Sequence, residues 1–177
     1  PRRALARALA VMLVVAPLGA CTALGDWFGA KEDKILDDPA DTLYNEGLFL
    51  LNQKKDYKNA AKRFEEVDRQ HPYSDWARKA LLMSAFAHYE NRDFEDAVNS
   101  AKRYVTLHPG SPDASYAQYL IASSYFDQIP DVSRDQGRTE RAMQALEEVM
   151  RKYPNTEYAV SAKKKLEVAR DQLAGKE

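Results

Sequence analysis

The sequence predicts an all-α fold: a solenoid of three helix pairs and a terminal helix, set behind an apolar leader and a tether. Three observations predict it. From Asp41 onward, apolar residues recur at i, i+3, i+4 and i+7, the spacing of one helix face. The pattern repeats, and each copy closes on a proline pair: His71-Pro72, His108-Pro109 and Tyr153-Pro154. Small residues recur in register, since Ala60, Ala97 and Ala142 each sit twelve positions before those prolines. Proline stops a helix because it lacks the N–H that continues the ladder.

The first element is the leader. Arg2, Arg3 and Arg7 precede the apolar run Ala8 to Ala20. A basic start, an apolar stretch too short to span as a mature helix, and small residues at the junction describe a secretory signal peptide over residues 1–20. The chain's one cysteine, Cys21, follows at once, in Leu18-Gly19-Ala20-Cys21. That run resembles a bacterial lipobox. The resemblance implies that the Cys21 thiol takes diacylglycerol, that cleavage precedes it, and that the new amino group is acylated. Several acyl chains anchor durably where one holds marginally. The plain alternative is an unmodified cysteine. Thr22, rather than aspartate, follows Cys21; in the enteric lipoproteins this implies the outer membrane, facing the periplasm. With Cys21 lipidated, no thiol remains for a disulfide. The covalent lipid is the one non-protein group expected, with no other cofactor and no metal.

The lipidated cysteine and a flexible tether occupy residues 21–40. Gly25, Gly29 and Pro39 with mixed charge give Thr22 to Ala40 no helical pattern. Fully extended, those residues reach about 65 Å. Trp27 and Phe28 are candidates to dock on a membrane surface or a partner, or to tuck against the first helix.

The repeat domain spans 41–174. The second helices carry the clear stripes: Tyr57, Ala60, Ala61, Phe64 and Val67; Phe94, Ala97, Val98, Ala101 and Tyr104; Ala142, Met143, Leu146, Val149 and Met150. Their upstream partners are Asp41 to Asn52, Trp76 to Glu90 and Asp113 to Asp127. These carry Gly47, Ala85 and Ala122 at the packing position. The whole resembles the tetratricopeptide repeat, a helix-turn-helix unit of about 34 residues. The interval from Ala97 to Ala142 exceeds that from Ala60 to Ala97 by eight. The excess falls in Gln128 to Arg138, where Pro130 and Gly137 predict a loop. A last helix, Thr156 to Leu173, places Tyr158, Ala162, Leu166, Ala169 and Leu173 on one face. It reads as the first helix of a fourth repeat. A start at Pro1 and an unpaired last helix lead us to expect a piece of a longer chain.

Composition excludes several classes. Without Arg2, Arg3 and Arg7 the chain holds 23 basic and 27 acidic residues, a net charge of −4. A nucleic-acid binder carries a basic footprint instead. The three histidines, His71, His88 and His108, have no metal-ligand spacing. Two precede the helix-stopping prolines, where a ring can meet loose carbonyls. Glu65-Glu66 and Glu147-Glu148 read as solvated helix faces. No phosphate loop or nucleophile elbow is present, so no enzyme is expected.

Function then rests on surfaces. In the tetratricopeptide pattern the groove positions lie three before, one after and four after the small packing residue. Carried onto this sequence they are Tyr44, Leu48 and Leu51; Leu82, Phe86 and Tyr89; and Tyr119, Ser123 and Phe126. An apolar groove suits an extended strand with apolar side chains at alternate positions. About half of the nine are expected to pack between repeats instead.

Three local runs narrow the family. They are Asp56 to Ala61 with Arg69 to Ser74, Ala87 to Asp93, and Ser133-Arg134-Asp135-Gln136-Gly137-Arg138. With lipobox and tether they resemble the BamD family, the lipoprotein subunits of the outer-membrane β-barrel assembly machinery. The resemblance implies a non-enzymatic periplasmic scaffold, lipid-anchored to the outer membrane. It implies binding to the BamA-type barrel subunit, to other assembly lipoproteins, and to the C-terminal strands of unfolded outer-membrane protein clients. It also implies that the last third of the usual five repeats is absent. Arg134 and Arg138 are candidate partner contacts, with solvated loop charges as the other reading. The rivals are a pilotin-like repeat lipoprotein escorting secretin or pilus components, and a helical accessory domain of a periplasmic enzyme.

Overall fold

The computed structural model describes residues 38–129 and 136–174, the last three without their side chains. The leader, Cys21, the tether through residue 37, and Arg134 lie outside the described residues. Seven α-helices follow in order: α1 Ala40–Phe49, α2 Tyr57–Gln70, α3 Asp75–Glu90, α4 Phe94–Leu107, α5 Ala114–Asp127, α6 Gln136–Lys152 and α7 Glu157–Ala174. The described residues form no strand. Each helix packs on the next, so α1/α2, α3/α4 and α5/α6 are hairpins, and α7 packs on α6 and α5. The fold is an all-α, tetratricopeptide-like solenoid.

Local chemistry fixes the boundaries. The α1 helix widens into a π-helical turn, Leu50–Lys54, which ends on Lys55 with φ 55°. Asp56 then caps α2, its carboxylate accepting from the Asn59 N–H at 3.2 Å and from the Asn59 side chain at 2.7 Å. Those two bonds hold its carboxyl below the usual range. The α3 helix ends in a Schellman motif. The Asp93 N–H reaches the His88 carbonyl and the Arg92 N–H reaches Tyr89, with Arg92 left-handed at φ 65°.

The three proline sites share one turn. The N–H groups of Ser74, Ser111 and Thr156 donate to the carbonyls of His71, His108 and Tyr153 at 3.0, 3.1 and 3.3 Å. Each is a β-turn with proline at its second position, where φ is already set. Ser74 and Thr156 then cap α3 and α7, accepting from Ala77 and Ala159. Ser111 instead bonds the hydroxyl of Tyr104 at 2.9 Å. That tyrosine is fully buried, and its polar tip is satisfied at the turn.

The core follows the stripes. Ala60, Ala97, Ala142, Ala85 and Ala122 are all fully buried, as the packing positions require. Gly47 is the tightest of them. A Cβ there would lie 2.7 Å from Cε1 of Phe64, itself fully buried. The α5 helix is walled in, since it touches α3, α4, α6 and α7. Its buried serines follow from that: small side chains let four neighbours approach.

One boundary differs from expectation. Gln136, Gly137 and Arg138 open α6 rather than closing a loop. The first turn of a helix lacks intrahelical acceptors for its N–H groups, so glycine costs little there. Gly137 is open, with nothing within 4 Å of where a Cβ would sit. His71 meets a carbonyl as expected, though one from outside its own helix. Its Nε2 meets the carbonyl of Asp38 at 2.7 Å, tying the entry to α1 to the end of α2. The His108 ring lies against Tyr104 instead, at 5.3 Å between centroids.

Candidate binding surface of the first helices

The first helices touch one another along the stack: α1 meets α3, α3 meets α5, and α5 meets α7. No comparable contact joins α2 to α4 or α4 to α6. The layer of first helices is therefore the closely spaced inner side of the solenoid.

On that side the structure sorts the nine groove positions. Leu51 is 5% exposed and Ser123 1% exposed, so both belong to the core and offer no binding surface. The physical reason is close spacing, which brings the neighbouring helix over them. Tyr44, Leu48, Leu82, Phe86, Tyr89, Tyr119 and Phe126 are half-buried. They line up by shared packing. Tyr44 stacks on Phe64 and Trp76 at 5.5 and 5.0 Å. Phe86 packs against the α1/α2 core and also against the cluster that holds Leu82 and Tyr89. Tyr119 and Tyr116 both lie against Tyr158, at 5.7 and 5.3 Å.

A polar strut crosses this wall. The Tyr89 hydroxyl donates to Asp127, and Lys165 donates to the other oxygen of Asp127 at 3.1 Å. Lys165 also lies 4.7 Å above the Phe126 ring. Thus α3, α5 and α7 are joined through one carboxylate. Burial pushes the Tyr89 hydroxyl up well above its ordinary range, helped by the bond to Asp127. Burial raises Tyr116 likewise, and Tyr44 and Tyr158 in the same direction.

Sequence reasoning missed Tyr116, Asp127 and Lys165. Tyr116 had a signal, lying three before Tyr119 and hence on its face. The Asp127–Lys165 pair is long-range and had none. Arg138 stands exposed in the first turn of α6. Of the acidic pairs, Glu65 and Glu147 are exposed and Glu66 and Glu148 half-buried; Glu65 bonds the His88 ring, and Glu66, Glu147 and Glu148 pair with Arg69, Arg170 and Lys152. Among the described residues, no helix is long and apolar enough to cross a membrane.

A family model described as "Outer membrane lipoprotein", YfiO, matches residues 36–177. The chain belongs to this family. Its relatives agree along nearly its whole length. "Outer membrane protein assembly factor BamD" of Caulobacter vibrioides is 43% identical over 171 residues, covering 96% of this chain and 54% of the relative. The protein of that name from Rickettsia prowazekii is 38% identical, covering 98% of this chain and 66% of the relative. That from Neisseria gonorrhoeae is 30% identical, covering 90% and 63%. The chain spans between about half and two thirds of the length of these curated relatives. The YfiO match begins two residues before the first described one, so it covers every helix of the solenoid.

Proposed function

We propose that this chain acts as a non-enzymatic scaffold in outer-membrane protein assembly. Its anchor is the lipid on Cys21, which holds the solenoid on the periplasmic side of the outer membrane. Its inner row, from Tyr44 through Phe86 to Tyr119, takes the C-terminal strand of an unfolded barrel client. The BamA-type barrel subunit and other assembly lipoproteins are its further partners. The observation that carries the reading is the half-buried aromatic row itself. An extended strand presents alternate side chains to one face, and the half-buried rings on successive first helices offer apolar seats for them. Family membership and the names of the relatives supply the context for a barrel client.

The test is a titration with a peptide that copies a barrel's last strand and ends in an aromatic residue, against a scrambled peptide of the same composition. Selective binding that is lost in Phe86→Ala and Tyr119→Ala is the expected result. Equal affinity for both peptides would remove the inner row as a client site.

A further inference from the structure

Away from the inner row, one cleft brings two cations onto a single aromatic ring. It lies between α4, α5 and α6 and holds about 370 Å³. The ring of Tyr125 forms one wall. Lys102 donates to the Tyr125 hydroxyl at 2.8 Å, with its ammonium 5.4 Å from the ring centroid. From α6, the Arg141 guanidinium lies 5.8 Å from the same centroid. Among the described residues, neither cation meets a carboxylate. The cleft's own carboxylate, Glu148, is held along its helix by Lys152 at 2.6 Å. Gln118 also lines the cleft and is only 5% exposed.

We propose that this cleft binds a carboxylate on an acidic side chain of a partner polypeptide. The donors fit that group. A guanidinium and an ammonium bond carboxylates with charge assistance, and the Gln118 amide adds a neutral donor. The Tyr125 oxygen already accepts from Lys102, so its proton is free to be donated. The remaining wall is mixed, with Val105, Ile121 and Ala145 apolar and Thr106 and Gln144 polar. Its apolar part takes the methylenes of a glutamate, and a bare inorganic anion makes no use of it. The cation pair also stands out on a chain whose net charge without its leader is −4, so it steers acidic segments to one place. This site is independent of the inner row, because it lies on the side of α5 that faces α4 and α6.

The test uses the full chain, isotope-labelled, in a nonionic detergent. The probe is acetyl-Leu-Glu-Leu-amide, with acetyl-Leu-Gln-Leu-amide and inorganic phosphate as comparisons at matched ionic strength. The glutamate peptide is expected to shift the Gln118 side-chain amide and the Arg141 Nε–H resonances saturably. The glutamine peptide should bind about tenfold more weakly, the loss of one charge-assisted pair. Arg141→Gln and Gln118→Met should each weaken the glutamate peptide by about tenfold, with helicity unchanged. Lys102→Arg, which keeps the charge, should retain binding. Equal binding of both peptides, or variants that bind as the parent does, would overturn the proposal. Phosphate binding more tightly than the glutamate peptide would overturn it too, assigning a bare-anion site.

Discussion

Gly47→Ala separates packing from propensity. In an open helix the change stabilises by about 1 kcal/mol. At Gly47 the new methyl would meet Phe64 at 2.7 Å from Cε1 and at 2.9 Å from both Cδ1 and Cζ. Ordinary carbon contacts begin near ~3.5 Å, so the ring must retreat by about 0.8 Å. Phe64 is fully buried and braced by Tyr44, so it has little room. Overpacking of this kind costs about 1–3 kcal/mol. The net expectation is a destabilisation of up to about 2 kcal/mol. Gly137→Ala is the control, because nothing lies within 4 Å of its Cβ position. It should be neutral or stabilising by up to about 1 kcal/mol. Urea denaturation followed by helical circular dichroism measures both, as shifts in midpoint at constant slope. Phe64→Leu removes two of the three crowding atoms. In the double variant the penalty of Gly47→Ala should therefore shrink by about 1 kcal/mol or more. If Gly47→Ala stabilises as much as Gly137→Ala, or if the two changes simply add, the close approach of α1 to α2 is not what demands glycine.

Further outcomes follow from single contacts. Ser74→Ala removes the cap on the Ala77 N–H and should lower stability by about 1 kcal/mol by the same denaturation. Arg92→Gly relieves the left-handed residue of the Schellman turn but loses the cation over Phe94, 5.4 Å from the ring. The first effect, about 1–2 kcal/mol, exceeds the second, about 0.5 kcal/mol, so the midpoint should rise. Tyr89 and Tyr116 hold their protons in the folded chain above the ordinary tyrosine value of 10.0. Their contribution is complete below pH 10 and lost as pH rises beyond it, because the unfolded chain ionises first. Stability against pH should therefore fall above pH 10, and Tyr89→Phe should flatten the fall; an unchanged slope would contradict the assignment.

The helix pairs were legible because each is specified locally. The stripe of Phe64 and Val67, the small Ala60 and the stop at Pro72 all lie within one helix and its turn. The three β-turns were half legible: the prolines were read as stops, whereas Ser74 and Thr156 act as caps. The start of α6 was misread because Gly137 is a breaker within a helix but tolerable at its first turn. The site was legible only as a set of positions. Register placed nine residues on the inner layer, but it carries no information on how closely the next pair approaches. That distance put Leu51 and Ser123 inside and left Phe86 and Tyr119 half open. The Asp127 strut depends on side chains from three helices, separated by 38 residues on either side, and no local pattern encodes it.

The inner row has two duties, and this limits how it can be probed. Tyr119 lies against Tyr158 of the next first helix, and Tyr89 is bound to Asp127. Each ring that offers a face to a ligand also spaces the stack. Truncating one would move its neighbours, so lost binding alone would not separate contact from geometry. Asp127→Asn offers the separation. It weakens the strut to Lys165 without removing any ring from the row, and it changes no proposed ligand contact. If the seats depend on helix spacing, this variant should weaken the aromatic-ended peptide although every ring remains. If binding is unchanged while Phe86→Ala abolishes it, the rings act as independent seats. In either case the acidic-peptide cleft around Tyr125 should be unaffected, since its donors come from α4, α6 and the other side of α5.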